Sequence, residues 1–415
     1  MSKKDRLSTE PYKGVRDFYP EDQAFLNYII ATQRQVVERF GYAEYSASIL
    51  EPSELYKNKG AENEEIVNEQ TYTFTDRGDR EVTLRPEMTP TVARLVAGKR
   101  RELGFPLRWY SIPNLFRYER PQRGRLREHW QLNVDIFGSN AAEADAEVIA
   151  VASAVMKAFG ATDSDFVIKV ASRKFLDTLT KDLGLSEATA KKLRGILDRK
   201  DKVTKEQFEA DLTEIGVALE ITSPNNPPED VKEILRLLKA MGVTNAVFEP
   251  SIVRGFDYYT GIVFEVFDTH PENNRALLGG GRYDNLLELF DDSTIPGVGF
   301  GMGDATIRDF LTVRNMLPDY APATKVYVAV AGTEFVPAAL ELADGLRKEG
   351  VATAVDFGEK KLGDQIKTAD KQRVPYVIVI GSDEASSGNY KVKDLATGEE
   401  KRLSRTELAS FFLNL

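Results

Sequence analysis

Residues 116–138 gather Arg117, Glu119, Arg120, Arg123, Arg125 and Arg127 into one short segment, then change to the alternating run Gln131-Leu132-Asn133-Val134-Asp135-Ile136. An arginine fork donates paired, charge-assisted bonds to phosphate or carboxylate oxygens. Strand side chains alternate with period two, so Gln131, Asn133 and Asp135 fall on one face. The segment therefore reads as the end of one strand, a basic loop and a return strand. Guanidiniums at one end, with amides and a carboxylate at the other, suit a polyanion lying beside a small zwitterion. A charge cluster on an exposed hairpin is the competing reading, and the segment alone leaves both open.

The composition removes several other chemistries. The chain has 415 residues, no cysteine and two histidines, His129 and His270. Disulfides, thiolate nucleophiles and cysteine-held zinc are excluded, and a histidine-built metal site or Ser-His-Asp triad has too few residues to draw on. The absence of cysteine fits a cytoplasmic protein. No apolar run is long enough to span a bilayer, and the start, MSKKDRLSTEPYKG, has no apolar leader. Net charge is −10, yet residues 99–129 hold nine Lys or Arg against three Glu. A local positive patch in an acidic protein suits a selective RNA partner and holds nonspecific affinity down.

Several elements must position these groups. Residues 20–40 carry a helical stripe of Phe25, Ile29, Ile30, Gln33, Val36, Val37 and Phe40, with Gly41 as its stop. Residues 71–84 read as a hairpin around Gly78-Asp79 and lead into Leu84-Arg85-Pro86-Glu87-Met88-Thr89-Pro90. There Thr89 and Pro90 suit the N-cap and first position of a helix. Residues 172–244 are helical and highly charged and read as an inserted module, broken at Pro224 to Pro228. Residues 253–261, Val-Arg-Gly-Phe-Asp-Tyr-Tyr-Thr-Gly, precede a strand, and Gly279-Gly280-Gly281-Arg282-Tyr283-Asp284 reads as a glycine-rich turn. After Pro318 and Pro322 strands and helices alternate, which implies an α/β domain with part of its sheet parallel.

The Phe-Arg-x-Glu core at Phe116 resembles motif 2 of the class II aminoacyl-tRNA synthetases, and Arg120-Pro121-Gln122-Arg123-Gly124-Arg125 narrows the resemblance to the histidyl type. Leu84 to Thr89, residues 253–261, Gly280 to Asp284 and the run Pro296-Gly297-Val298-Gly299-Phe300-Gly301-Met302-Gly303 resemble further signatures of that family. Residues 359–363 and 392–398 resemble its anticodon-binding domain. The resemblance covers nearly the whole chain. It implies an α+β fold: a class II catalytic core with a mixed, mainly antiparallel sheet flanked by helices, over residues 1–322. A helical insertion at about 172–244 and a C-terminal α/β anticodon-binding domain over residues 324–415 complete it.

The resemblance further implies ATP, Mg²⁺, L-histidine and tRNA(His) as cofactors and partners, a homodimer, and no role for DNA or a membrane. Arg117 and Arg254 would be catalytic at the α-phosphate, with Arg117, Glu119 and Arg125 binding ATP. Glu87, Thr89 and Gln131 would take the α-amino group of histidine. Asp135 and Tyr259 would meet its imidazole, with Met88, Tyr258 and Tyr283 completing the pocket. Gln122 and Arg123 would meet the tRNA acceptor end, and no Mg²⁺ ligand is assigned.

Three positions depart from the pattern. Asp135 stands where the family has Glu, shorter by roughly 1.5 Å. Ser48 stands at the proline of the dimer motif. Thr306 stands where motif 3 carries an arginine for the γ-phosphate, so ATP's terminal phosphates must be held differently. Arg308, two residues on, lies about 200° around a helix and cannot simply replace it. Two other readings stay open at this level. One is a catalytically silent paralogue such as a histidine-sensing regulatory subunit of ATP phosphoribosyltransferase. The other is a nonenzymatic RNA-binding module.

Overall fold

The computed structural model describes residues 7–57, 70–200, 203–218, 226–252, 258–273, 275–290, 294–357 and 360–414. The chain divides into two compact units, one of Met1–Asp17 with Phe25–Leu317, the other of Phe18–Ala24 with Pro318–Leu415.

In chain order the first unit contains β1 (Ala43–Glu44), β2 (Leu50–Pro52), β3 (Tyr72–Thr75), β4 (Glu81–Leu84), β5 (Leu107–Ser111), β6 (Asn114–Phe116), β7 (Glu128–Phe137), β8 (Phe166–Ser172), β9 (Ala246–Phe248), β10 (Ile262–Asp268), β11 (Ala276–Tyr283) and β12 (Gly297–Gly303). Its main sheet runs β1-β5-β7-β12-β11-β10-β8-β9, with β6 paired to β7. Only β1–β5 and β8–β9 pair parallel, so the sheet is mixed and mainly antiparallel. A small sheet, β2-β4-β3, lies beside it.

Alternation decides which way each side chain of the sheet points. On β12, Val298, Phe300 and Met302 enter the main apolar core, packed against helix Ala142–Ala158 and helix Pro20–Arg39. The intervening Gly297, Gly299, Gly301 and Gly303 fall on the opposite face, in register with Phe137, Asp135, Asn133 and Gln131 of β7. The glycines thus form a floor with no side chains under the polar residues of β7. On β11, Gly279-Gly280-Gly281 forms the strand interior rather than the expected turn. A Cβ on Gly280 would overlap Gly299 O, and one on Gly281 would sit 2.7 Å from Ile262 O. Close strand approach, not a bend, is what these glycines permit.

Other sequence expectations shift in detail. The helix after β4 starts at Thr89 with Met88 before it, so Thr89 opens the helix instead of capping it. Phe40 ends beyond helix Pro20–Arg39 and is 37 % exposed, so it leaves the apolar stripe. Helices Arg173–Asp182, Glu187–Asp198 and Lys205–Glu214 share a separate core of Leu176, Leu193, Leu197, Phe208 and Leu212. Helix Glu229–Ala240 does not join them. Its Val231, Ile234 and Leu238 enter the main core, and β9 then pairs with β8. The inserted module is therefore smaller than residues 172–244.

The second unit holds β13 (Val326–Val330), β14 (Thr353–Val355), β15 (Tyr376–Ile380), β16 (Asn389–Asp394) and β17 (Glu400–Ser404), ordered β14-β13-β15-β16-β17. The first three are parallel and the last two antiparallel. Val328, Leu342, Ile378 and Phe412 anchor one face of this sheet.

Candidate active site

Two adjoining cavities open over the glycine floor, one with about 500 Å³ of free space and one with about 720 Å³. Both are lined by Arg117, Gln131, Gly279 and Gly301, so they form one continuous cleft.

The narrower cavity is lined by Glu87, Thr89, Asp135, Tyr258, Tyr259 and Tyr283, together with Asn133, which sequence reasoning did not single out as a ligand-binding residue. Met88 is buried behind them. At its base the Tyr283 hydroxyl donates a hydrogen bond to Asp135 Oδ1. Burial pushes the Asp135 carboxyl up to about 7 against the opposing effect of that bond, and it pushes the Tyr283 phenol well above its ordinary range. The Asp135 carboxyl thus has a tyrosine hydroxyl as a hydrogen-bond partner inside the pocket. Tyr258 crosses to the other wall: its hydroxyl lies 3.3 Å from Glu87 Oε2 and its ring packs 4.9 Å from that of Tyr259. Burial also raises Glu87 to about 7, although the Arg117 charge and the Tyr258 bond pull it down. A buried carboxyl with so little compensation is a ready partner for an ammonium ion.

The wider cavity is lined by Arg117, Glu119, Arg125 and His129 on one side and by Leu277, Gly303 and Thr306 on the other. Arg117 Nε is fixed by Pro86 O at 2.8 Å, which leaves the rest of its fork toward the cleft. Glu119 lies between two guanidiniums, 3.9 Å from Arg117 and 3.8 Å from Arg125. Burial, then the charges of Arg117 and Arg16, lower His129 to about 3, so its ring is neutral and adds no charge of its own.

The loop between β6 and β7 closes in a tight turn: Gln122 and Arg125 exchange backbone bonds of 3.0 and 2.9 Å, with Gly124 at φ +72°. Arg123 pairs with Asp309 at 2.9 Å. An N-terminal strap holds the loop root. Arg127 donates to Tyr12 Oη at 3.0 Å, its guanidinium lies 4.0 Å from the Tyr118 ring, and its amide bonds Gly14 O. Arg16 on the same strap pairs at 2.7 Å with buried Asp304, whose other oxygen accepts from Trp130 N. None of these strap contacts has a local sequence signal, because each joins residues far apart in the chain.

Helix Asp304–Val313 follows β12 directly. Thr306 Oγ1 faces Leu277 O and Gly303 O, 2.9 and 3.0 Å away. Arg308 lies with its guanidinium 5.8 Å from the Phe25 ring. Arg254 lies outside the described residues. Among the described residues no group of three His, Cys, Asp or Glu could hold a metal ion, and no helix is long and apolar enough to cross a membrane.

A mainly antiparallel sheet carrying this cleft, followed by a separate five-stranded unit, is an arrangement that solved proteins share. The histidyl-tRNA synthetase from a Nostoc species superposes with a TM-score of 0.83 at 24 % identity, covering 99 % of this chain and 100 % of that one. The histidine–tRNA ligase of Leptospira biflexa is 42 % identical over 98 % of this chain and 97 % of its own length. That of Thermoplasma volcanium is 37 % identical over 98 % of each. The sequence profile of histidyl-tRNA synthetase matches residues 14–214 and 218–306, and that of the anticodon-binding domain matches residues 325–415. The chain belongs to the histidyl-tRNA synthetase family.

Proposed function

We propose that this chain is an aminoacyl-tRNA ligase that activates L-histidine with ATP and transfers the histidyl group to the 3′ end of tRNA(His). The observation that carries the reading is the continuous cleft with Arg117 at its junction, a tyrosine-and-carboxylate pocket at one end and guanidiniums at the other.

In this reading Glu87, Thr89 and Gln131 take the α-ammonium. Asp135 and Tyr259 meet the imidazole, with Tyr258 and Tyr283 walling the pocket and Met88 buried beneath its lining. The α-carboxylate is ionised near neutrality, so activation needs no general base. A carboxylate oxygen attacks the α-phosphorus, the bond to the β-bridging oxygen breaks, and pyrophosphate leaves with the electron pair. Arg117 and Arg254 hold the charge on the α-phosphate, while Glu119 and Arg125 bind the rest of the nucleotide. The protein's task is positioning and electrostatic stabilisation. Then a terminal hydroxyl of tRNA attacks the carbonyl and AMP departs, with Gln122 and Arg123 meeting the acceptor end. Residues 1–322 carry the chemistry, and the domain at 324–415 engages the anticodon.

A Mg²⁺ ion bound with the nucleotide would take most of its ligands from phosphates and water, since among the described residues no cluster of carboxylates and histidines would hold it. Such an ion would neutralise phosphate charge. A homodimer in the cytoplasm completes the reading. The regulatory-subunit alternative is not favoured, because a matched anticodon-binding domain has no place in histidine sensing. Histidine-dependent ATP–pyrophosphate exchange is the test. No exchange at saturating histidine, ATP and Mg²⁺ would reject catalysis, and Arg117→Ala should abolish it in a folded protein.

A further inference from the structure

The wider cavity does not end at Thr306. Beyond Gly124 and Thr306 it adjoins a third space of about 330 Å³, which shares Gly124, Ala276, Leu277 and Thr306 with it. The Thr306 hydroxyl is turned to backbone oxygens, and its methyl faces Gly124, so the helix start contributes no cation here. Two guanidiniums, Arg123 and Arg275, and two carboxylates, Glu272 and Asp309, border this space. Arg123 is committed to Asp309 through both carboxylate oxygens. Arg275 is not: Nη1 donates to Arg123 O at 2.6 Å and Nη2 to Gln122 Oε1 at 3.1 Å, and among the described residues these neutral oxygens are its only polar partners. It sits one residue before β11 and lines the third space, next to Ala276, which lines both that space and the wider cavity.

We propose that Arg275 binds the outer phosphates of the nucleotide and the pyrophosphate they become. The inference rests on the ATP-binding reading above. With the α-phosphate at Arg117, the triphosphate must run away from the histidine pocket, and Glu119 disfavours phosphate on its own side. The way past Gly124 and Thr306 leads to Arg275, whose hydrogen bonds among the described residues go to neutral oxygens. A guanidinium in that state gains charge-assisted bonds when a phosphate arrives. Its grip on Gln122 and Arg123 keeps the loop tip over the same space and ties nucleotide binding to the loop that faces tRNA.

Calorimetry on the full chain with ATP, AMP and pyrophosphate tests this. Arg275→Ala should weaken ATP and pyrophosphate about tenfold or more while AMP stays within about twofold. Arg275→Lys should recover part of the loss, since it keeps a point charge without the fork. Unchanged ATP affinity would overturn the proposal. So would an equal loss for ATP and AMP, which would mean that Arg275 only positions the loop. Binding by itself is independent of catalysis, so a chain with the expected ATP-to-AMP selectivity but no exchange would refute the ligase reading and leave this site standing.

Discussion

Tyr283 on β11 gives its phenolic hydrogen to Asp135 on β7, across the glycine strand β12 that separates them. Both side chains are buried, and this bond opposes the rise that burial imposes on the Asp135 pKa. Tyr283→Phe removes the bond, so the Asp135 carboxyl should rise further above about 7. If ionised Asp135 receives the imidazole, the acid limb of kcat/KM for histidine moves to higher pH in the variant, and KM for ATP stays put. A coincident pH profile for the two proteins would show that Asp135 is not the titrating partner.

Glu87 makes a second pH prediction. Its pKa in the folded protein, about 7, is raised from an ordinary 4.5 chiefly by burial. The sign follows from linkage: the folded state binds the extra proton, so this group's contribution to stability is full below pH 4.5 and declines as pH rises through about 7. An ammonium ion placed beside it lowers the pKa again, so histidine binding near pH 7 should release a fraction of a proton. Calorimetry in buffers of different ionisation enthalpy measures that release. Glu87→Gln should reduce it, leaving the part that Asp135 contributes, weaken histidine about tenfold or more, and become more stable relative to the parent between pH 5 and 8.

The glycine floor separates packing from recognition. A Cβ on Gly299 would overlap Asp135 Oδ1 and lie 2.5 Å from the Val134 carbonyl, which cannot move without breaking the β7–β12 ladder. The three atoms nearest a Cβ on Gly301 all belong to the end of the Gln131 side chain, the closest at 2.9 Å. Gly299→Ala should therefore cost about 1–3 kcal/mol of stability as well as histidine binding. Gly301→Ala should keep its melting temperature and lose histidine affinity by displacing Gln131. Equal melting losses in the two variants would contradict this division.

The face of β7 was legible because period-two alternation is a local property: Gln131, Asn133 and Asp135 must share a side whatever surrounds them. The register that brings Gly299 opposite Asp135 was not legible, since the two strands lie far apart in sequence and no turn fixes their pairing. For the same reason Tyr283 could be assigned to the pocket wall but not to Asp135, and Arg275 and the Arg16 strap carried no signal at all. The glycines of β11 were misread because turns and closely packed strands both demand the missing Cβ. Helix Glu229–Ala240 showed its apolar stripe plainly, yet a stripe does not name its partner, and tertiary packing gave it to the main core.

Arg282 alternates with Tyr283 on β11 and so points into the opposite face, where it pairs with Asp145 at 2.6 Å with both side chains almost wholly buried. It also bonds Ser139 O at 2.9 Å, and Asp145 sits in the first turn of helix Ala142–Ala158. Burial raises the Asp145 pKa while Arg282 opposes the rise, so removing the arginine strands an unpaired carboxyl. Arg282→Met should cost about 3–5 kcal/mol, whereas the double variant Arg282→Met with Asp145→Leu should regain a large part of it, because the buried Asp145 charge is then gone and Asp284, the other partner of Arg282, keeps its bond from Thr260. Because Tyr283 is the next residue, the single variant should also raise KM for histidine more than KM for ATP. Chemical denaturation of the two single variants and the double variant measures the coupling, and additive losses would mean that the pair does not act as a unit.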